Sequence, residues 1–160
     1  MSMSRIHWPE LVISIVLPQC SGFAGSFFTR SSVSTWYQDL VKPAFTPPGW
    51  VFAPVWIILY LFMGAASYLV LVSRGDTAQR RLAVILFYVH LAVNTAWAYL
   101  FFGLRRPSWA LVDIVVLLVM ITVLIRMFGR FNRAAAALLV PYWLWVAFAT
   151  YLNYGIWRLN

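Results

Sequence analysis

Acidic residues are nearly missing. Glu10, Asp39, Asp76 and Asp113 are the only four in 160 residues, and no paired carboxylate is visible for general acid and base work. Cysteine is rarer still: Cys20 stands alone, which excludes an intrachain disulfide framework and a multi-cysteine metal site. The two histidines, His7 and His90, fall on different elements, so no metal centre is expected. A nucleophile–base–acid arrangement and a phosphate-cradling glycine loop are also absent, which leaves hydrolase and nucleotide-driven pump functions without residues. Charged residues make up 10% of the chain, where a soluble domain has about 25%. So few charges do not cover an apolar core in water.

What is present is apolar and aromatic. Hydrophobic residues reach 63%, with nine tryptophans, against about 45–50% apolar in an ordinary domain. This composition excludes disorder and points to a bilayer. The net charge of +8 is therefore assigned to anionic lipid headgroups and not to nucleic acid.

Charged residues divide the chain into five runs near the length of about 20 residues that a spanning helix needs. These are Leu11–Thr29, Pro43–Ser73, Leu82–Leu104, Pro107–Ile125 and Ala134–Trp157. Proline and glycine at Pro43, Pro47, Pro48 and Gly49 delay the second helix to about Trp50, leaving Pro54 in its first turns, where a missing N–H costs least. The fold class is all-α: an integral membrane bundle of five transmembrane helices in one domain, at about 9–29, 50–73, 81–104, 107–127 and 134–157. Short connections make consecutive helices antiparallel neighbours. The long Ser- and Pro-rich segment 30–49 is expected to be a lid-like loop. Leu11–Thr29 is expected to be a first transmembrane helix and not a cleaved signal, because Ser21, Gly22, Gly25 and Ser26 suit helix packing. Seven Lys and Arg with the N-terminus against five on the other side weakly favour a cytoplasmic N-terminus. An ion channel would want rings of polar groups and a secondary transporter inverted repeats; five spans offer neither.

Helical spacing groups three stripes. His90, Asn94 and Trp97 share a face of the third span; Trp145, Ala149 and Asn153 form a column on the fifth; Trp56 and Tyr60 lie one turn apart on the second, with Met63 nearby. Asn94 has hydrogen-bonding groups that lipid does not satisfy, so it faces protein or a cavity. Interhelical packing and a ligand cavity are equally good explanations of these stripes. Trp8, Trp36, Trp50, Trp109 and Trp157 sit at span ends, where an aromatic belt accounts for them. Trp56, Trp97, Trp143 and Trp145 lie deeper, and rings at Trp56 and Trp145 suit a planar hydrophobic ligand. Asp113, the only acid inside a span, is expected to make a structural hydrogen bond near the interface.

The run from Trp36 to Tyr60, reading WYQDLVKPAFTPPGWVFAPVWIILY, resembles the signature of the translocator protein family, the TspO/MBR or tryptophan-rich sensory proteins that include peripheral benzodiazepine receptors. The resemblance continues through Asn94-Thr95-Ala96-Trp97, Phe101-Phe102-Gly103 and Trp109 to Asp113, and closes with Pro141-Tyr142, Trp145 and Ala149 to Tyr154. It implies a five-helix membrane protein, usually a homodimer, whose first long loop covers a cavity that takes porphyrins, haem-related tetrapyrroles, sterols and benzodiazepine-type ligands. The ligand-binding residues it implies are Phe45, Trp50, Trp56, Tyr60, Asn94, Trp97, Trp145, Ala149 and Asn153. Some bacterial members are reported to degrade protoporphyrin in light, which would make Trp56 and Trp145 catalytic; an enzyme of that kind, or a transporter of sterols or other small molecules, is the alternative to a tetrapyrrole-binding sensor or regulator. No obligatory cofactor is implied, porphyrin or haem being the ligand. Ala44 and Phe45 stand where many relatives have tryptophan, which weakens stacking from the lid. Leu152, Tyr154 and Arg158 satisfy a proposed cholesterol pattern that is frequent by chance. A bacterial cell envelope is the expected location.

Overall fold

The computed structural model describes residues 7–160; Arg5, counted above for orientation, lies outside them. Five helices are long and apolar enough to cross a membrane, and no strand occurs among the described residues. Helix α1 is Trp8–Val33, α2 is a single turn at Trp36–Asp39, α3 is Phe52–Leu71 entered through a tight 3₁₀ turn at Gly49–Val51, α4 is Thr77–Ala98, α5 is Pro107–Phe131 and α6 is Arg133–Leu159. Pro54 falls in the first turn of α3, as its missing donor requires. Side-chain caps fix two starts: Asp76 accepts from the N–H groups of Ala78 and Gln79, and Asn132 from those of Ala134 and Ala135, satisfying donors that every helix start leaves open.

The five long helices close into a ring in the order α1, α3, α6, α5, α4. Consecutive helices touch, α3 and α4 least of all: α1 packs against both along one side, and Tyr60 of α3 still reaches Asn94 of α4. The reason lies in the small residues of α1. Pro18 lacks the N–H that would bond the Ser14 carbonyl, and that oxygen meets Gly64 of α3, where a Cβ would stand 2.6 Å away. A Cβ on Gly22 would lie 2.3 Å from the Tyr60 ring, and one on Gly25 would meet Ala98 at 3.4 Å. The Ser21 hydroxyl reaches the Leu91 carbonyl at 3.1 Å and the Thr95 hydroxyl at 2.7 Å. Ser21, Gly22 and Gly25 are thus used inside the bundle. Ile114, Leu117, Ile121, Leu124 and Phe128 repeat along the buried face of α5 with Leu139, Tyr142 and Val146 of α6 opposite, giving a continuous core.

The segment 30–49 departs from a simple loop. Arg30–Val33 extends α1 and Trp36–Asp39 adds a helical turn, so the irregular lid begins at Leu40. Serine and threonine weaken helices by competing for backbone groups, yet here they stitch the extension in place: Thr29 donates to Gly25 O, Thr35 to Ser31 O, and Ser32 at 2.7 Å to the Phe102 carbonyl of α4. That carbonyl is accessible because α4 widens into a π-helical turn at Tyr99–Gly103, which disturbs the ordinary ladder. Trp36, expected in an aromatic belt, instead sets its ring edge against the buried Phe101 at 5.7 Å. Trp8, Trp50, Trp109 and Trp157 are exposed at helix ends.

Candidate ligand-binding site

Two walls face each other across the seam between α3 and α6. On α3, Trp56 stacks on Tyr60 with centroids 5.4 Å apart and presents its edge to Tyr142 of α6 at 6.2 Å. Phe52, one turn earlier, meets Trp145 at 5.8 Å. From Trp145 an aromatic column climbs α6 through Phe148 at 5.9 Å to Tyr151 at 6.3 Å, and the Tyr151 hydroxyl donates to the Ala44 carbonyl of the lid. The Trp145 indole N–H is buried and has no acceptor among the described residues. Ala149, one turn above Trp145, is half-buried and packs against the core.

Behind Trp56 lies a buried polar network. The Tyr60 hydroxyl donates to Asn94 Oδ1 at 2.5 Å, Asn94 Nδ2 donates to the Tyr142 hydroxyl at 3.0 Å, and His90 Nε2 lies 3.1 Å from that same hydroxyl while its Nδ1 contacts Phe87 O. A second network joins the other predicted residues: Trp97 Nε1 donates to Asn153 Oδ1 at 3.0 Å, and Asn153 Nδ2 to Pro107 O at 2.8 Å. Both asparagines are therefore satisfied by protein, as lipid surroundings demand. Met63 is fully buried in the core. Trp143, the fourth deep tryptophan, donates to Thr122 Oγ1 and serves α5–α6 packing. The hydrogen bond expected for Asp113 is not seen at its Oδ2, which is buried without a partner among the described residues.

The lid is fastened to the end of α6. Asn160 pairs with both backbone groups of Val41 at 3.0 Å, and Pro43 packs so closely on Gly155 that a Cβ there would stand 2.7 Å from its ring. The loop, with the end of α1 and with α2, lines an open pocket of about 530 Å³; Val33, Tyr37, Lys42, Phe45 and Thr46 are among its walls, and the rings of Trp56, Trp145 and Phe148 are not. Lys42 is the one charged residue lining it among the described residues; the ammonium donates to Gln38 O and Leu40 O and lies 4.9 Å over the Tyr37 ring. Burial raises the Tyr37 phenol above its usual pKa. Phe45, 87% exposed, adopts the left-handed backbone region at φ 64°, a conformation that a bulky residue rarely takes.

Of the predicted site residues, Trp56, Tyr60 and Asn94 form one contiguous group, Trp97 and Asn153 a second, Trp145 with Ala149 lines the column, and Phe45 lines the cavity. Trp50 lies exposed beside the lid. Leu152 is buried, whereas Tyr154 and Arg158 are exposed on the outer side of α6, so the three do not share one surface. Tyr142, Phe148 and Lys42 are additions that spacing did not single out. Tyr142 and Phe148 flank Trp145 at i−3 and i+3, a spacing that places all three together.

The TspO/MBR family matches residues 14–158. The chain is 43% identical over 150 residues to the tryptophan-rich protein TspO of Chlorobaculum tepidum, covering 94% of this chain and 95% of that one. It is 41% identical over 151 residues to the TspO protein of Archaeoglobus fulgidus, with 94% and 97% covered. It is 38% identical over 154 residues to the human translocator protein, with 96% and 91% covered. An integral, multi-pass membrane protein built on five spanning helices, the chain belongs to the TspO/MBR family.

Proposed function

We propose that the protein binds tetrapyrroles, porphyrin or haem, within the membrane and acts as a sensor or regulator of porphyrin metabolism or transport. The observation that supports this most is the pair of aromatic walls, Phe52 and Trp56 against Trp145 and Phe148, joined through Tyr151 to the loop that carries Lys42, the one charged residue among the described residues that lines the pocket on that loop. A tetrapyrrole is a flat apolar macrocycle bearing carboxylates. The indole and phenyl faces suit the macrocycle, the unpaired Trp145 N–H offers a donor, and the Lys42 ammonium suits a carboxylate near the water boundary. The buried network of Tyr60, Asn94, Tyr142 and His90 holds the Trp56 wall in one orientation. A homodimer belongs to the same proposal: Ala92, exposed on α4, permits close approach between helices.

Titration of the purified chain with protoporphyrin, haem and a sterol in the dark, followed by tryptophan quenching, tests the reading. Saturable quenching by the two tetrapyrroles and a weaker sterol response are expected; a response to sterol alone would overturn it. Illumination of the protoporphyrin complex then separates binding from breakdown. An unchanged porphyrin spectrum fits a sensor. A new bilin-like absorbing product, lost in Trp56→Phe and Trp145→Phe, would identify an enzyme instead.

A further inference from the structure

At the end of the bundle opposite the lid stand Arg74, Arg80, Arg81, Arg126, Arg130 and Arg133, with only Glu10 and Asp76 as acids. Both acids are engaged: Asp76 caps α4, and Glu10 lies 3.8 Å from His7. Among the described residues no arginine has a carboxylate within ion-pair reach. Arg80 closes the α3–α4 turn by donating to Ser73 O, while Arg81, Arg126 and Arg130 are exposed.

Between the first turn of α4 and the last of α5 a cleft of about 230 Å³ opens, walled by Gln79, Leu82, Met127, Arg130 and Phe131. Toward the membrane centre the faces beside it are apolar and exposed. Leu82, Ile85 and Val89 line α4, and Val119 and Val123 line α5, whose same stripe ends in Arg126 and Arg130 at i+3 and i+7 from Val123. An apolar groove that runs into a pair of cations without counter-ions, at the depth where a spanning helix meets water, has the profile of a lipid: acyl chain below, anionic headgroup above. The guanidinium fork matches two phosphate oxygens at once, and the Gln79 amide adds a neutral donor.

We propose that this α4–α5 cleft binds one anionic phospholipid per chain, its headgroup phosphate on Arg126, Arg130 and Gln79 and an acyl chain along Leu82, Ile85 and Val89 against Val119 and Val123. The site is separate from the pocket that Lys42 lines and does not depend on what that pocket holds.

The test uses the full chain in uncharged detergent, titrated with phosphatidylglycerol, phosphatidylcholine or sodium phosphate, with bound lipid counted by native mass spectrometry. Phosphatidylglycerol is expected to saturate at one tight equivalent per chain and phosphatidylcholine to bind more weakly. Arg126→Gln with Arg130→Gln is expected to lower phosphatidylglycerol affinity by about tenfold or more, whereas Arg105→Gln with Arg106→Gln at the lid end leaves it unchanged. Arg130→Lys, which keeps the charge and loses the fork, gives an intermediate loss and serves if the double variant does not fold. Equal binding of the two lipids, an equal loss from the lid-end pair, full affinity in both the double variant and Arg130→Lys, or displacement of the lipid by millimolar sodium phosphate would each overturn the proposal.

Discussion

Gly64 shows how one atom decides an interface. Pro18 leaves the Ser14 carbonyl without its helical donor, and α3 approaches that oxygen only because residue 64 has no side chain. Gly64→Ala is therefore expected to force α1 from α3 at a cost of about 1–3 kcal/mol, seen as a lower midpoint of thermal unfolding in detergent; an unchanged midpoint would show that the contact is slack. Asn94 is a second such residue, since it joins the hydroxyls of Tyr60 and Tyr142. Asn94→Leu removes both bonds, taking the acceptor from the buried Tyr60 hydroxyl and leaving the Tyr142 hydroxyl with His90 alone, a loss of about 1–2 kcal/mol given the modest worth of hydrogen bonds inside membranes. The same midpoint measures it, and tetrapyrrole affinity falls as well because Tyr60 no longer fixes Trp56. Ala149→Thr adds a branched hydroxyl beside the Trp145 column and is expected to weaken tetrapyrrole binding in a quenching titration; full affinity would place the ligand elsewhere.

On the proposed function, the lid is the element on which ligand access depends. Its fastening is local: Asn160 on Val41, Tyr151 on Ala44, and Pro43 seated on Gly155. Gly155→Ala puts a methyl group where the Pro43 ring lies, so the lid lifts while the five helices stay packed. The expected outcome is a severalfold faster tetrapyrrole dissociation rate in stopped-flow measurements with little change in thermal midpoint. An unaltered rate would mean that the ligand enters between helices and not under the lid. The lid also marks the limit of what the sequence discloses about elements. Proline and glycine at 43 to 49 correctly mark irregular backbone, but the extension of α1 through Val33 is invisible to propensity, because it depends on Ser32 finding the Phe102 carbonyl some seventy positions away.

Across the whole molecule, the five spans are legible because lipid enforces their length and forbids unpaired backbone. The order of the ring is not, since it follows from which faces are small enough to approach, and Gly22 against Tyr60 is a contact between distant segments. At the site, helical spacing groups His90 with Asn94, and Trp145 with Ala149, yet it does not tell that Asn94 looks toward α3 and α6 while Trp97 turns to Asn153. Tyr142 completes the first network and belongs to no stripe of polar residues. Lys42 becomes meaningful only once the lid is folded. The central claim is that a flat, carboxylate-bearing ligand lies between the walls of Trp56 and Trp145 with Lys42 at its edge. A dark protoporphyrin titration followed in the porphyrin's own absorbance, on the native chain, Trp56→Phe with Trp145→Phe, and Lys42→Gln, tests it most directly. Saturable binding in the native chain, weakened about tenfold by the tryptophan pair and less by Lys42→Gln, is the result expected; equal affinity in all three proteins would contradict it.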